Sequence, residues 1–270
     1  TVVRYHNSCC QNRSSIGRKR CFHELTASHD LSIQDVRQHH TVSLPYRSQL
    51  LEGDKTLNDK GEHDWLKNGS TSSNELRKVY DDWANAYDDN LQSWDYRAPT
   101  HAAEILSATI PTDGDVLDVG CGTGLTGLAL RKAGFTGPID GVDLSPASLA
   151  KAKTRGVYRN LNPVDLQALP LAVPDASYDA IVCVGVFTYI PHGEGVLREF
   201  ARVLRPGGRA LVTQRDDLFR EREFRTTLKN LTDDFDSITV SEPLPYLPGN
   251  PDFGDAIKVI YVMLTKQIEC

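Results

Sequence analysis

The sequence predicts an α/β fold: a doubly wound, mostly parallel seven-stranded sheet whose last strand runs antiparallel. Three observations carry that expectation. From Glu75 onward, short apolar strand patterns alternate with helix-period patterns, the arrangement that wraps a parallel sheet on both faces. The runs "VLDV" (116–119) and "AIVCVGVF" (180–187) are nearly continuous in apolar residues, as suits strands covered on both sides. The last two strand patterns are joined by the Pro- and Gly-rich "PYLPGNPDFG" and read as an antiparallel pair.

The elements follow in chain order. "NELRKVYDDWANAYDDNLQSW" (74–94) spaces Leu76, Val79, Tyr80, Trp83, Ala84 and Tyr87 by three and four residues, which predicts one amphipathic helix with Ser73 or Asn74 as N-cap. "APTHAAEILSATI" predicts a second helix, stopped by Pro111. Then come strand 116–119, a helix closed by Gly134, the strand "PIDGVDL", and a helix with Ser145 as N-cap and Pro146 in its first turn. "YRNLNPVDL" predicts a short strand and loop, and "YDAIVCVGVF" a strand. "GEGVLREFARVLRPGG" predicts a helix stopped by its glycines, ahead of strand "RALVTQ". "FRTTLKNLTDDF", "SITVSEPL" and "DAIKVIYVMLTKQ" close the chain as helix, strand and strand.

Domain organisation is uneven. Residues 1–74 are polar and poor in apolar periodicity, and are expected to form a mostly disordered leader ahead of one domain over 75–270. The first 23 residues carry five basic residues and no acidic one, as an organellar transit peptide does; an unselected polar leader is the alternative. The cluster Cys9, Cys10, Cys21 and His23 has no structural-zinc spacing, so no metal is expected. Six cysteines without a framework spacing point to a reducing compartment, with cytoplasm the first expectation and mitochondrion the second. A net charge of −6 argues against a basic nucleic-acid binder, and no apolar run is long enough to span a bilayer.

The chemistry is expected at the glycine turn, because ligands of open α/β sheets lie beyond the carboxyl ends of the strands. The turn is Gly120-x-Gly122-x-Gly124, preceded by Asp118. A dinucleotide fingerprint needs a further glycine where Leu125 stands, and a phosphate loop needs a Gly-Lys-Ser/Thr ending that is missing. Asp118 would repel a pyrophosphate but suits an amino-acid ammonium. The next strand ends in Asp143, where a carboxylate accepts from both ribose hydroxyls. The two acids together ask for a nucleoside bearing an amino-acid tail and no phosphate, a description that S-adenosyl-L-methionine meets.

"VLDVGCGTG", "GVDLSPASL", "YDAIVCVGVF" and "RVLRPGGRALVT" resemble the successive motifs of class I S-adenosylmethionine-dependent methyltransferases. "VYDDWANAYDDNL", "YRAP" and "GVFTYIP" are similar to a narrower group, the methyltransferase-like proteins named after the Williams–Beuren syndrome chromosomal region. The resemblance covers residues 75–265 and implies a Rossmann-like methyltransferase fold. It implies cofactor contacts from Asp118, Gly120, Cys121, Gly122 and Gly124 (methionine end), and from Asp143 and Leu144 (ribose and adenine). Asp165 and Leu166 would meet the adenine edge, and Val184 and Gly185 the sulfonium wall. Tyr80, Trp83 and Tyr87 would close over the cofactor from the leading helix; a plain core face is the alternative for them, and a loop-end cap for Asp165. Cys121 and Cys183 read as packing residues, not nucleophiles. Candidates for catalysis are Tyr87, Tyr189 and His192, with Arg215 and Asp216 at the next strand end, although His192 also reads as an exposed loop residue. The expected partner is a small-molecule methyl acceptor. A protein acceptor, or a non-catalytic cofactor-binding module, are the alternatives.

Overall fold

The computed structural model describes residues 65–68 and 70–268, together with 3–7 and 22–26 as backbone strands only. The strands are β1 (Val3–Asn7), β2 (Phe22–Thr26), β3 (Val116–Val119), β4 (Ile139–Asp143), β5 (Asn160–Pro163), β6 (Tyr178–Cys183), β7 (Leu204–Arg215), β8 (Phe235–Val240), β9 (Leu244–Pro245) and β10 (Lys258–Lys266). They form one sheet of order β2-β1-β8-β10-β7-β6-β3-β4-β5, with β9 beside β10. β7-β6-β3-β4-β5 are parallel, while β10 runs antiparallel between β7 and β8. The seven strands from β8 to β5 are the expected sheet; β1 and β2 extend it antiparallel at the β8 edge. The remainder of the 1–64 segment, with Cys9, Cys10 and Cys21 and the basic stretch, lies outside the described residues.

The helices are α1 (Trp65–Asn68), α2 (Ser73–Trp83), α3 (Tyr87–Ser93), α4 (Ala98–Ser107), α5 (Leu125–Lys132), α6 (Pro146–Thr154), α7 (Gly193–Val203), α8 (Asp216–Glu221) and α9 (Phe224–Lys229). Alternating strand residues feed two cores. Leu117, Val119, Ile181 and Val212 pack with Leu197, Phe200 and Phe224 from α7 and α9 on one face. Val116, Val182 and Leu211 pack with Ala103, Leu106 and Leu130 from α4 and α5 on the other. Fully buried side chains such as Phe187 and Phe200 contribute roughly 1.5–3 kcal/mol each. A third cluster caps the carboxyl ends of the strands, where Leu66, Leu91 and Trp94 meet Leu247, Phe253 and Ile257.

Three local expectations need correction. The single helix over 74–94 is two, α2 and α3, broken at residues 84–86 where Ala86 N–H bonds back to Trp83 O. The cap of α2 is Ser72, not Ser73 or Asn74. Arg205–Gly208 is not a separate helix stop: α7 ends at Val203 and β7 begins at once, absorbing those residues where its register with β6 shifts. α8, which begins directly after β7, has too few apolar positions to be legible in the sequence. The cap on α6 is as expected, since Ser145 Oγ accepts from Ser148 N–H at 3.0 Å with Pro146 in the first turn.

Candidate cofactor and acceptor site

The sheet reverses its winding between β3 and β6, which places the switch point at Gly120 and Gly185. All three turn glycines have left-handed backbones, with φ of +70° at Gly120, +53° at Gly122 and +94° at Gly124. Their surroundings differ. A Cβ on Gly120 would stand 2.2 Å from Val186 Cγ2, so that glycine lets β3 and β6 close on each other. A Cβ on Gly122 would meet nothing within 4 Å, so this peptide borders open space. The turn is tied to β4 by Gly120 and Cys121 N–H, which both donate to Val142 O.

Asp143 ends β4 beside that space. Its Oδ2 accepts Gly122 N–H and its Oδ1 accepts Ser145 N–H, both at 2.8 Å. Burial raises its pKa, and these two amides pull it back. Each oxygen keeps a further lone pair for a donor such as a ribose hydroxyl. Leu144, next to it, is half-buried.

Asp118 lies beneath the glycine turn. It is fully buried; Oδ2 accepts the Tyr158 hydroxyl at 2.7 Å, and the Tyr158 oxygen accepts Gly127 N–H at 3.1 Å. A side chain on Gly127 would collide with that phenol at 2.5 Å, so the glycine makes the link possible. Asp118 Oδ1 has no partner. Burial foremost, then Asp143 nearby, pushes its carboxyl up to about 7. A buried carboxylate with one oxygen unsatisfied asks for a cation, as an amino-acid tail would supply.

The lid helices cover the site through a repeat, Tyr80-Asp81-Asp82 and Tyr87-Asp88-Asp89, seven residues apart. Asp81 accepts Ser145 Oγ at 2.6 Å and Ala147 N–H at 3.1 Å, which docks α2 on the start of α6. Asp88 accepts Thr123 Oγ1 at 2.5 Å and pairs with Arg155, which docks α3 on the glycine turn. The phenols face inward: the Tyr80 and Tyr189 rings lie 5.9 Å apart at 82°, and Trp83 and Tyr87 are 4.6 Å apart at 71°. Tyr96 and Tyr246 form a second pair, 5.6 Å apart at 74°.

The sequence-derived residues therefore divide. Gly120, Gly122, Gly124, Asp143, Leu144, Tyr80, Trp83, Tyr87 and Tyr189 surround the strand ends, where Val184 is buried and Gly185 half-buried. Cys121 is buried, and its thiol is pushed far up by burial and then by Asp118 and Asp143, so it has no nucleophilic role. Asp165 Oδ1 accepts Gln167 N–H, the turn-capping role, while Leu166 packs into the core. His192 is exposed at the N-cap of α7. Arg215 is buried, paired with Asp217 and donating to the carbonyls of Leu66 and Lys67; it fastens α1. Asp216 is also buried, accepting Lys258 N–H and pairing with Arg220. Sequence reasoning missed Asp81, Asp88, Tyr96, Tyr158 and Tyr246. The repeated Tyr-Asp-Asp was the available signal for the first two.

Residues 117–212 match the methyltransferase-domain family. Methyltransferase-like protein 27 of Homo sapiens is 36% identical over 139 residues, 50% of this chain and 56% of that protein. A demethylmenaquinone methyltransferase of Tropheryma whipplei is 33% identical over 145 residues, 52% of this chain and 59% of that one. The chain thus spans little more than half the length of these curated relatives. The crystal structure of an S-adenosylmethionine-dependent methyltransferase of Thermotoga maritima, described as a possible histamine N-methyltransferase, shares the fold. Its TM-score is 0.52 at 18% identity, over 71% of this chain and 100% of that one. Residues 117–212 thus carry a match to a methyltransferase domain, and the fold around them is shared with an S-adenosylmethionine-dependent methyltransferase. No described helix is long and apolar enough to cross a membrane.

Proposed function

We propose that this protein methylates a small molecule using S-adenosylmethionine, and that it groups with the methyltransferase-like proteins named after the Williams–Beuren region. The observation that carries the reading is the Asp143 carboxylate, held by Gly122 and Ser145 N–H beside a glycine peptide that faces open space. In this reading Asp143 takes the ribose hydroxyls, Leu144 lies against the adenine, and Asp118 Oδ1 meets the ammonium. Asp165 and Leu166 lie at the adenine edge, and the Val184–Gly185 segment walls the reacting end. S-adenosylmethionine supplies an electrophilic methyl group on a sulfonium. The protein's part is to align the acceptor with it and exclude water, which the aromatic lid and its two acid latches are placed to do. A small acceptor suits a chamber closed by short helices and by the 241–257 connection, whose Tyr246 and Phe253 join the aromatic cluster.

Calorimetric titration of the protein with S-adenosylmethionine and S-adenosylhomocysteine tests this. Micromolar binding is expected, weakened at least tenfold by Asp143→Ala, which is about 1.4 kcal/mol or more. Absence of binding by the folded wild-type protein would sink the proposal.

A further inference from the structure

Five phenols converge in front of Gly185 from four separate parts of the chain. Tyr80 and Tyr87 come from the lid, Tyr96 from the turn after α3, Tyr189 from the short 3-10 turn Phe187–Tyr189, and Tyr246 from the loop after β9. A Cβ on Gly185 would lie 3.1 Å from the Tyr96 hydroxyl and 3.4 Å from that of Tyr246, so a bare backbone forms the floor. Tyr80, Tyr87, Tyr96 and Tyr246 are only half-buried, yet burial is the main cause that raises each of their pKa values. Asp88, next to Tyr87, bonds Thr123 beside Gly122, whose peptide borders open space, so the phenols are grouped at the edge of that space.

The charges around that space are already committed. Asp143 and Asp88 act on Tyr87, and Arg215 acts on Tyr189 and Tyr246. Asp143 holds the Gly122 and Ser145 amides. Asp88 holds Thr123 and Arg155. Arg215 is bound to Asp217 through Nε at 3.1 Å and through a terminal nitrogen at 2.5 Å. His192, the one imidazole the sequence offered as a base, is exposed on α7.

Such a recess is hostile to anions, while for a cation its ring faces offset part of the desolvation that it imposes. Desolvation favours the neutral form of every acceptor: a thiol, phenol or carboxyl group is held in its protonated, poorly nucleophilic form, whereas an amine is held as the free base. Aromatic faces set nearly perpendicular also attract a positive charge. Resting on the methyl-donor reading above, we propose that the acceptor is an amine, bound within the Tyr80–Tyr87–Tyr96–Tyr189–Tyr246 chamber and methylated without an enzymic base. The nitrogen lone pair forms the new N–C bond as the C–S pair returns to sulfur. The positive charge moves from sulfur to nitrogen, and the surplus proton is lost to water once the product has left. The ring faces surround a single positive charge before and after transfer.

A binding test needs no cofactor. Trp65, Trp83 and Trp94, the protein's three tryptophans, all belong to the aromatic cluster, so their fluorescence reports occupancy. The 270-residue protein is titrated with benzyltrimethylammonium, with its uncharged isostere neopentylbenzene, and with phenylacetate. The cation is expected to bind at least tenfold tighter than either, and Tyr246→Leu to weaken it fivefold or more. Equal or tighter binding of the isostere or of phenylacetate overturns the proposal. Label from S-adenosylmethionine is then offered to matched amines, thiols, phenols and carboxylates. Label in the amines is expected; an unlabelled amine arm, or label confined to the others, overturns it. Calorimetry with S-adenosylhomocysteine on the same sample separates the two readings. A protein that does not bind it refutes the methyl-donor reading. One that binds it and prefers the neutral or anionic probe refutes only the amine assignment.

Discussion

Asp118→Asn isolates the electrostatic cost stored under the glycine turn. The asparagine keeps an acceptor for the Tyr158 hydroxyl and removes the charge that burial opposes. The folded protein holds the Asp118 proton up to about pH 7, whereas the ordinary carboxyl releases it near 3.8. Between those values the folded state binds more protons than the unfolded chain, so this group makes the ligand-free protein less stable as pH rises from about 4 to about 7. A difference of about 3 pH units at 1.36 kcal/mol each gives about 4 kcal/mol, fully expressed above pH 7. The variant escapes that loss. Its stability advantage over wild type should grow with pH to about 4 kcal/mol, or roughly 8–16 °C in melting temperature for a domain of this size. Paired urea or thermal denaturation at pH 4.5 and pH 8 reads it directly. A gap that stays constant between the two pH values, or narrows, would refute a costly buried carboxylate. The ligand side has the opposite sign. A ligand ammonium favours the ionised form, so wild-type affinity for S-adenosylmethionine should rise with pH through about 7, by up to tenfold per unit below it. The asparagine variant should bind weakly, with no such dependence.

Two glycines two residues apart should respond differently to alanine. Gly120→Ala combines left-handed strain of about 1–2 kcal/mol with a collision against Val186 worth about 1–3 more, and denaturation should show the loss. Gly122→Ala carries the strain alone, so the fold should lose only about 1–2 kcal/mol. Its methyl enters the space beside Asp143, however, and calorimetry should show cofactor affinity falling more than tenfold. Asp81→Ala removes the acceptor for Ser145 Oγ and Ala147 N–H, a loss of about 1–3 kcal/mol. Hydrogen exchange should rise across residues 73–93 while β3 and β4 stay protected.

The parallel core was legible because strands buried on both faces leave continuous apolar runs, as at Val116–Val119 and Tyr178–Cys183. Gly120 and Asp143 were legible for a related reason: a turn needing left-handed backbone and a strand-end carboxylate each permit few residue types. The break between α2 and α3 was hidden, because seven residues are two helical turns and the apolar stripe keeps its phase across residues 84–86. Tyr96 and Tyr246 were hidden for a different reason. They meet from positions 150 residues apart in the chain, on loops that carry no periodicity of their own. Asp118 was read as a ligand contact from its charge at the strand end and from the family resemblance; its link to Tyr158 depends on packing across α5 that no local pattern records.

The two acids of the repeat fasten the lid to the loops of the candidate cofactor site. Although α2 and α3 are separate helices, the Tyr80 and Tyr87 rings meet 6.3 Å apart, and the acid after each faces a loop. Asp81 thereby docks on the residues after Asp143, and Asp88 on the turn that carries Gly122. These are the two loops assigned to the ribose and to the amino-acid tail. A ligand that orders them also orders the surface on which the lid sits, and by linkage a docked lid strengthens the ligand by the same factor. On the proposed reading, the acids of the repeat would tune affinity without touching cofactor or acceptor, while its tyrosines would supply the walls of the acceptor chamber.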